Sequence, residues 1–390
     1  MKSLWNKIKE YPAFILFFLF LFGFMAVDML YPDRAQSELE NTKLKQKPQF
    51  SFSSLMKNKW TADYGEYVKD QVAFRDNWID LQSRSEMILM QKAESGDMLL
   101  GKDHMLFKKM FSLTDSEIKQ LPKNINALSE FAQRHGDKVT VMIAPSASVI
   151  YPENLPFHAP MVNENVMLNE IFTPIADGTE AHVIDLREPF REHKDEYLYY
   201  RNDHHWTSHG AYLAYLEFCE QKGLAPFDVN AHEAVIVPDF YGTSYAAARN
   251  WNAVPDEITY YPLPNQQTIW NVIGENDFEV QSVGDLYDYD KFNVYDKYAA
   301  FLHGNPGYST IEGDGEGSIL VVKDSYANCF IPYLTANYAK IGVIDMRFFG
   351  YGIDSLMEHE GYDEALILYN FQSFKADAKL ANLNRNPIEK

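Results

Sequence analysis

The residues best suited to chemistry are concentrated between Tyr199 and Tyr215, in the stretch YYRNDHHWTSHGAYLAY. Asp203 and His205 are two positions apart, so in an extended segment their side chains would share one face and His204 would point away. A carboxylate beside an imidazole fixes its tautomer, raises its basicity and stabilises the imidazolium. This spacing predicts a general base that needs a nucleophile from elsewhere in the chain.

The same stretch leaves two alternatives open. Asp203, His205 and His209 could bind zinc, with the two histidines four positions apart if a helix starts early enough. That early helix would spoil the alignment of Asp203 with His205. The histidines could also be structural residues at a strand-to-helix turn, where Thr207 or Ser208 would cap the helix.

A candidate nucleophile follows a second apolar run. The sequence predicts a buried strand over 319–322, then Lys323, Asp324 and Ser325, then a helix. Ser325 would lie where the strand ends and the helix begins. Free backbone N–H groups and a positive potential at that point favour an oxyanion. A serine placed there could equally be a helix cap without chemistry.

The elements that must position these residues lie between 111 and 390. Short β-branched runs alternate there with helical stretches, which predicts an α/β domain with helices on both faces of a mostly parallel sheet. The runs are KVTVMIAP, HVIDL, SILVVKDS, KIGVIDM and EALILYN. Active sites of such sheets lie at the carboxyl ends of the strands. Residues 226–317 break the pattern and predict an insertion of short strands or loops over one side.

The first thirty residues predict a membrane anchor. An almost wholly apolar run extends from Tyr11 to Leu30, which is long enough to cross a bilayer once. Lys2, Lys7 and Lys9 precede it and place the N-terminus in the cytoplasm. An uncleaved signal anchor is favoured over a cleaved signal peptide, because no small-x-small cleavage site follows the run. A tether and a helical and hairpin region over 31–110 would then follow outside the membrane.

The composition limits the possible partners. The 390 residues carry a formal net charge of −20, which argues against binding to nucleic acid and against adsorption to anionic lipid. Cys219 and Cys329 are the two cysteines, so there is no disulfide framework. Two buried free thiols are the expected state, with one disulfide as the alternative.

The stretch that contains Asp203 and His205 resembles the signature of the DHHW family. Its Asp-x-His-Trp core resembles that of the alginate O-acetyltransferase-like proteins, a branch of the SGNH hydrolase superfamily. KDSYANCF resembles their nucleophile block, and further similar segments are SASVIYPENLP, YGTSYAAA, ENTKLKQKPQF and DQVAFRDNWIDL. The resemblance implies that Ser325 is the nucleophile, His205 its base and Asp203 the partner of the base. It also implies an oxyanion hole to which Asn370 and Gly242 contribute.

The resemblance implies an SGNH-hydrolase-like three-layer α/β/α fold and the transfer of O-acetyl groups to a secreted or cell-wall polysaccharide. No cofactor is needed, and a membrane-bound O-acyltransferase would supply the acetyl groups. One alternative is a carbohydrate acetylesterase, since the same acyl-enzyme can react with water. Another is a non-catalytic surface protein that binds glycans through its many aromatic side chains. Lys323 stands where many SGNH enzymes have glycine, so we expect an oxyanion loop of different shape.

Overall fold

A computed structural model describes residues 11–37 and 42–385. The chain divides into two compact units, Met1–Gln91 and Lys92–Lys390. The predicted hairpin near Gly101 forms, and it lies in the second unit rather than in the N-terminal region with which the sequence grouped it. Lys2, Lys7 and Lys9, from which the membrane orientation is predicted, lie outside the described residues.

The first unit is mainly helical. Its helices are α1 (Pro12–Leu30), α2 (Phe52–Met56), α3 (Lys59–Gln71) and α4 (Arg75–Ile88), and its strands β1 (Gln36–Ser37) and β2 (Thr42–Lys43) form an antiparallel pair. Among the described helices, α1 is the one long and apolar enough to cross a membrane, and none of its residues is buried. This agrees with the predicted apolar span.

The second unit is built around an eight-stranded sheet. The strand order is β11-β10-β12-β14-β13-β15-β6-β7. Five strands pair in parallel: β6 (Val139–Ala144), β7 (His182–Ile184), β13 (Ser318–Lys323), β14 (Lys340–Asp345) and β15 (Glu364–Asn370). All five lie in the runs predicted as strands. A strand buried on both faces needs an almost unbroken run of β-branched and aliphatic residues, and such runs are visible in the sequence.

The remaining three strands make the sheet mixed, so the prediction of a mostly parallel sheet is not confirmed. They are antiparallel and come from the 226–317 region: β10 (Gln266–Gly274), β11 (Asp277–Asp285) and β12 (Tyr308–Glu312). The same region also forms a separate antiparallel pair of β8 (Val235–Phe240) and β9 (Asp256–Tyr260). The insertion therefore extends the sheet with regular strands, whereas the sequence predicted only short strands or loops.

Helices cover both faces of this sheet and make three layers. On one face α5 (Asp115–His135), α7 (Glu164–Gly178) and α12 (Ile353–Glu360) pack against Leu320, Val322 and Ile367. On the other face α6 (Ala147–Ile150), α8 (Arg187–Glu192) and α9 (Ser208–Lys222) pack against Ile319, Val321 and Leu368. The period-two alternation of a strand sends neighbouring side chains to opposite cores.

Shorter elements complete the second unit. A small antiparallel sheet contains β3 (Glu94–Ser95), β4 (Met98–Leu100) and β5 (Leu106–Lys108), and the remaining helices are α10 (Thr243–Ala248), α11 (Ile331–Leu334) and α13 (Phe371–Phe374). Cys219 and Cys329 are both buried free thiols, as the composition predicts. The strands β13, β15 and β6 are adjacent, so their carboxyl ends open on one edge of the sheet.

Candidate active site

The loop from Tyr199 to Trp206 is closed at its base by an antiparallel bridge between these two residues. Next to the bridge, the Thr207 N–H donates to the Leu198 carbonyl oxygen at 2.8 Å. The Thr207 hydroxyl also caps α9, because it accepts the Gly210 N–H at 3.0 Å. The loop is therefore fixed to the start of a helix, and of the two predicted caps it is Thr207 that acts.

Asp203 and His205 are in contact inside this loop. The Asp203 Oδ1 accepts hydrogen bonds from the His205 ring Nδ1 at 2.5 Å and from the His205 backbone N–H at 3.0 Å. Both side chains are buried, whereas His204 is exposed. An aspartate that accepts the N–H two residues on produces a bend. The predicted pairing is thus present, but the extended conformation expected for it is wrong.

The second ring nitrogen of His205 faces Ser325. The distance from His205 Nε2 to Ser325 Oγ is 2.7 Å, although the residues are 120 positions apart. An ionised carboxylate only accepts hydrogen bonds, so His205 Nδ1 carries the proton toward Asp203 and Nε2 is free to accept one from the hydroxyl. The structure brings Asp203, His205 and Ser325 together in the order that a Ser-His-Asp mechanism requires.

Further contacts keep Asp203 ionised. Its Oδ2 accepts the Thr243 N–H at 2.7 Å and the Thr243 hydroxyl at 2.9 Å. Burial alone would raise the pKa of Asp203, but the imidazoles of His205 and His204 and these hydrogen bonds hold it well below its usual range. The carboxylate can therefore orient His205 and stabilise its protonated form across the ordinary pH range.

Gly242 lies against the Asp203 carboxyl group. A Cβ atom at position 242 would overlap Asp203 Oδ2, Cγ and Cβ. Glycine is therefore required here because the backbone approaches the carboxylate closely. The structure therefore places Gly242 directly behind Asp203, and its contribution to an oxyanion hole stays a prediction.

The turn that carries Ser325 is a short 3-10 helix, Ser325–Cys329, followed by α11. The sequence predicted one longer helix. Pro332 has no N–H to donate into that helix, so it interrupts the run. Asp324 instead supports the turn: its Oδ1 accepts the Tyr326 N–H at 2.9 Å and its Oδ2 accepts the Asn370 N–H at 3.0 Å.

Lys323, which stands where a glycine was expected, is fully buried. Its ammonium donates to Asn305 Oδ1 at 2.8 Å and to Asn328 Oδ1 at 2.6 Å. Burial lowers its pKa to about 8. Lys323 therefore links the turn that carries Ser325 to Asn305 of the insertion through two amide oxygens.

Two aromatic residues with roles that sequence reasoning did not find hold the site together. The Trp206 indole Nε1–H donates to the Tyr326 carbonyl oxygen at 2.8 Å. The Tyr298 ring stacks on the His205 imidazole with centroids 3.8 Å apart and an interplanar angle of 12°. The Tyr298 hydroxyl donates to the Ser325 carbonyl oxygen at 3.0 Å. Both rings therefore connect His205 to the turn that carries Ser325.

The sequence contained a signal for one of them only. Trp206 belongs to the DHHW motif, so its presence could have suggested a structural bond. Tyr298 lies in the Tyr-rich insertion, where nothing in the local pattern distinguishes it from its neighbours. Stacking on His205 is a long-range contact that only the folded chain creates.

A cavity of about 400 Å³ adjoins the site. Asp203, His204, Tyr326 and Asn370 contribute to its wall. The other lining residues include an apolar group, Met98, Leu106, Phe107, Ala147 and Ala247, and a polar group, Lys108, Glu117, Ser146, Gln372 and Lys375. A pocket with apolar walls and a few convergent polar groups is typical of a substrate site.

Asn370, predicted for the oxyanion hole, ends β15 in the wall of this cavity. Its side chain accepts the Gln372 N–H at 2.9 Å and donates to the Ala144 carbonyl oxygen at 3.3 Å. The side chain is therefore fixed at the carboxyl edge of the sheet. Its contribution to an oxyanion hole stays a prediction.

His209 is not brought to the pair of residues with which it could have bound zinc. Its Nε2 lies 2.8 Å from Glu196 Oε2, at an exposed position. Within 11–37 and 42–385, the group of potential metal ligands that does cluster is Asp203, His204 and His205. Asp203 and His205 are hydrogen-bonded to each other in it, so these atoms already serve the arrangement with Ser325.

Two family models match overlapping parts of the chain. Residues 98–234 match the SGNH hydrolase-like domain of acetyltransferase AlgX, and residues 178–344 match the DHHW protein family. The DHHW match contains Asp203, His205 and Ser325. A search of the curated proteins found no match.

Solved structures support the fold. A DHHW family protein from Eubacterium siraeum superposes with a TM-score of 0.62 at 22% identity, over 76% of this chain and 100% of that chain. Bacillus cereus PatB1 with a sulfonyl adduct superposes with a TM-score of 0.55 at 17% identity, over 72% of this chain and 97% of that chain. The chain thus shares the fold of these proteins, and parts of it match the DHHW model and the model of the AlgX-type SGNH hydrolase-like domain.

Proposed function

We propose that this chain is a membrane-anchored O-acyltransferase that moves acetyl groups onto hydroxyls of a secreted or cell-wall polysaccharide. The observation that carries the proposal is the position of His205, which bonds Asp203 through Nδ1 and lies 2.7 Å from the Ser325 hydroxyl through Nε2. The match to an acetyltransferase-type SGNH domain supports acyl transfer as the reaction.

The first half of the reaction would make an acyl-enzyme. Ser325 Oγ attacks the carbonyl carbon of an acetyl ester while His205 Nε2 takes the hydroxyl proton. Asp203 holds the resulting imidazolium through Nδ1. His205 then returns the proton to the leaving oxygen, and the acetyl group stays on Ser325.

The second half would release the acetyl group to an acceptor. An acceptor hydroxyl loses its proton to His205 and attacks the acetyl carbonyl, which frees Ser325 with its proton restored. The cavity next to Tyr326 and Asn370 is the proposed location of the acceptor. This chemistry asks for no metal or cofactor, so chelator should leave the activity unchanged.

The proposed location follows from α1 and from the lysines before it. A cytoplasmic N-terminus would place the second unit outside the cell, where an acetyl donor must be delivered across the membrane. A membrane-bound O-acyltransferase is the proposed source. Protease added to intact cells should then degrade nearly the whole chain and spare only the anchor, whereas a protected C-terminal domain would contradict the orientation.

Transfer can be separated from the two alternatives in one experiment. The full chain in detergent is given a chromogenic acetyl ester with a panel of oligosaccharides, and acetylated products are measured by mass spectrometry, with Ser325→Ala as the control. We expect acetylated oligosaccharides with the wild type and none with the variant. Deacetylation of acetylated glycans without transfer would favour an esterase, and glycan binding without turnover would favour a binding protein.

A further inference from the structure

Part of the exposed side of α4 is apolar. Phe74, Trp78, Leu81, Ile88 and Leu89 are 45%, 43%, 54%, 57% and 79% exposed, and we call them the apolar stripe. At 3.6 residues per turn they fall within an arc of about 100° on this helix and its flanks. The polar residue in the same arc, Ser85, donates its hydroxyl to the Leu81 carbonyl oxygen at 2.7 Å. The stripe therefore presents no unpaired hydroxyl.

The start of α4 is tied to the end of α1. The Ala73 N–H donates to Asp28 Oδ1 at 2.7 Å. The rings of Tyr31 and Phe74 lie 5.2 Å apart, and those of Phe24 and Trp78 lie 6.0 Å apart. These contacts place the start of the apolar stripe beside the C-terminal part of α1.

The part of α1 that contacts the apolar stripe would lie inside the bilayer. Phe24 precedes the last residue of α1, Leu30, by six positions, or about 9 Å along the helix axis. An α1 that crosses a hydrocarbon core of about 30 Å would hold the Trp78 indole at this depth. Helices that lie in the membrane interface bury their apolar face by about 5–10 Å, and tryptophan is enriched there. The Trp78 Nε1–H already donates to the Ala73 carbonyl oxygen at 3.0 Å, so the ring needs no water partner.

We propose that α4 lies in the outer interface of the membrane, with the apolar stripe buried among the lipid acyl chains. The proposal rests on α1 crossing the membrane and does not depend on the reaction at Ser325. The helix carries two arginines and three acidic residues, so electrostatic attraction to anionic lipid contributes little. Burial should therefore occur in zwitterionic vesicles and resist added salt.

The test uses the full chain reconstituted in phosphatidylcholine vesicles. Leu81→Cys is labelled with an environment-sensitive fluorophore, and Glu66→Cys, at an exposed polar position of α3, is the matched control. Cys219 and Cys329 are buried, so wild type treated with the same fluorophore should react little, and its emission gives the background. We expect a blue-shifted emission for Leu81→Cys that is strongly quenched by lipids brominated near the glycerol end of their chains. The label on Glu66→Cys should emit at a longer wavelength, as it does in water, and brominated lipid should not quench it.

Three outcomes would overturn the proposal. If the wild type does not float with the vesicles, α1 does not anchor the chain in the membrane, and the proposal fails. A green, unquenched label at position 81 would show that the stripe faces water. A blue-shifted label that brominated lipid does not quench would mean that protein covers the stripe, either a second copy or another chain. Strong quenching that persists at high salt supports the proposal.

Discussion

The Trp206 indole Nε1–H donates to the backbone carbonyl oxygen of Tyr326 at 2.8 Å. Trp206 directly follows His205, and Tyr326 directly follows Ser325. One hydrogen bond thus joins the loop that carries the proposed base to the turn that carries the proposed nucleophile. The tryptophan of the DHHW motif therefore acts as a brace between these segments.

Trp206→Phe should lower turnover about tenfold or more, because the buried Tyr326 carbonyl oxygen loses the shortest of its side-chain hydrogen bonds and the His205–Ser325 distance is no longer held. One intramolecular hydrogen bond contributes about 0.5–1.5 kcal/mol, so the free energy of unfolding should fall by a similar amount. Ester hydrolysis and denaturant unfolding measure the two effects. Trp270→Phe is the control, because it also removes an indole bond, here to Thr310 Oγ1 at 3.0 Å. Equal loss of activity in both variants would show that the hydrogen bond between Trp206 and Tyr326 does not position the two segments.

Gly242→Ala should abolish most of the activity. The added Cβ would overlap the Asp203 carboxyl group and push it away from His205. Loss comparable to that of Asp203→Ala is expected in an ester-hydrolysis assay, and the overlap should lower the free energy of unfolding by about 1–3 kcal/mol. Gly284→Ala is the matched control, since a Cβ at that position meets no other atom within 4 Å. A fully active Gly242→Ala would mean that Asp203 is not held by this contact.

Tyr298 allows its ring and its hydroxyl to be tested separately. Tyr298→Phe keeps the stack on His205 and loses the hydrogen bond to the Ser325 carbonyl oxygen, so a loss of severalfold in kcat is expected. Tyr298→Leu removes both and should be clearly more damaging. Tyr289→Phe, at an exposed position of the same insertion, should leave kcat unchanged. Equal activity of the leucine and phenylalanine variants would show that the ring does not orient His205.

These contacts mark the limit of what the sequence could predict. Each strand of the parallel half was recognisable, because a strand buried on both faces needs an unbroken apolar run. Asp203 and His205 were recognisable as a pair because they are neighbours in the chain. Ser325 could be proposed from its place after β13.

Other features arise only when distant segments meet. The stack of Tyr298 on His205 and the approach of Gly242 to Asp203 leave no periodic pattern in the sequence. The β10–β11 hairpin was missed because its outer strand is largely exposed and polar, so no buried apolar run marks it. His209 looked like a ligand by spacing, but helix α9 begins at Ser208 and turns its ring toward Glu196.

Glu164 should make stability depend on pH. Burial raises its pKa from 4.5 to about 7, and its Oε1 accepts the Ser146 N–H at 2.7 Å. The folded protein keeps this proton up to about pH 7, while the unfolded chain releases it near pH 4.5. The contribution of Glu164 to stability therefore falls as pH rises through this window, by up to about 3 kcal/mol.

Glu164→Gln cannot lose the proton. Relative to the wild type it should gain up to about 3 kcal/mol of unfolding free energy when the pH is raised from about 5 to about 8. Denaturant unfolding at both pH values measures the difference. Glu170→Gln, at an exposed position of the same helix, should show no such change. A difference from the wild type that is the same at both pH values would contradict the assignment.

The central claim is that Ser325 carries the acyl group, and mass spectrometry of the KDSYANCF peptide after reaction with a chromogenic acetyl ester tests it most directly. We expect an acetyl group on Ser325 in the wild type, and neither adduct nor turnover in a folded Ser325→Ala. His205→Ala should be nearly as inactive, Asp203→Asn partly active and His204→Ala least affected, because the three site residues act as a unit. Wild-type turnover by Ser325→Ala, or an acetyl group found only on another residue, would contradict the account.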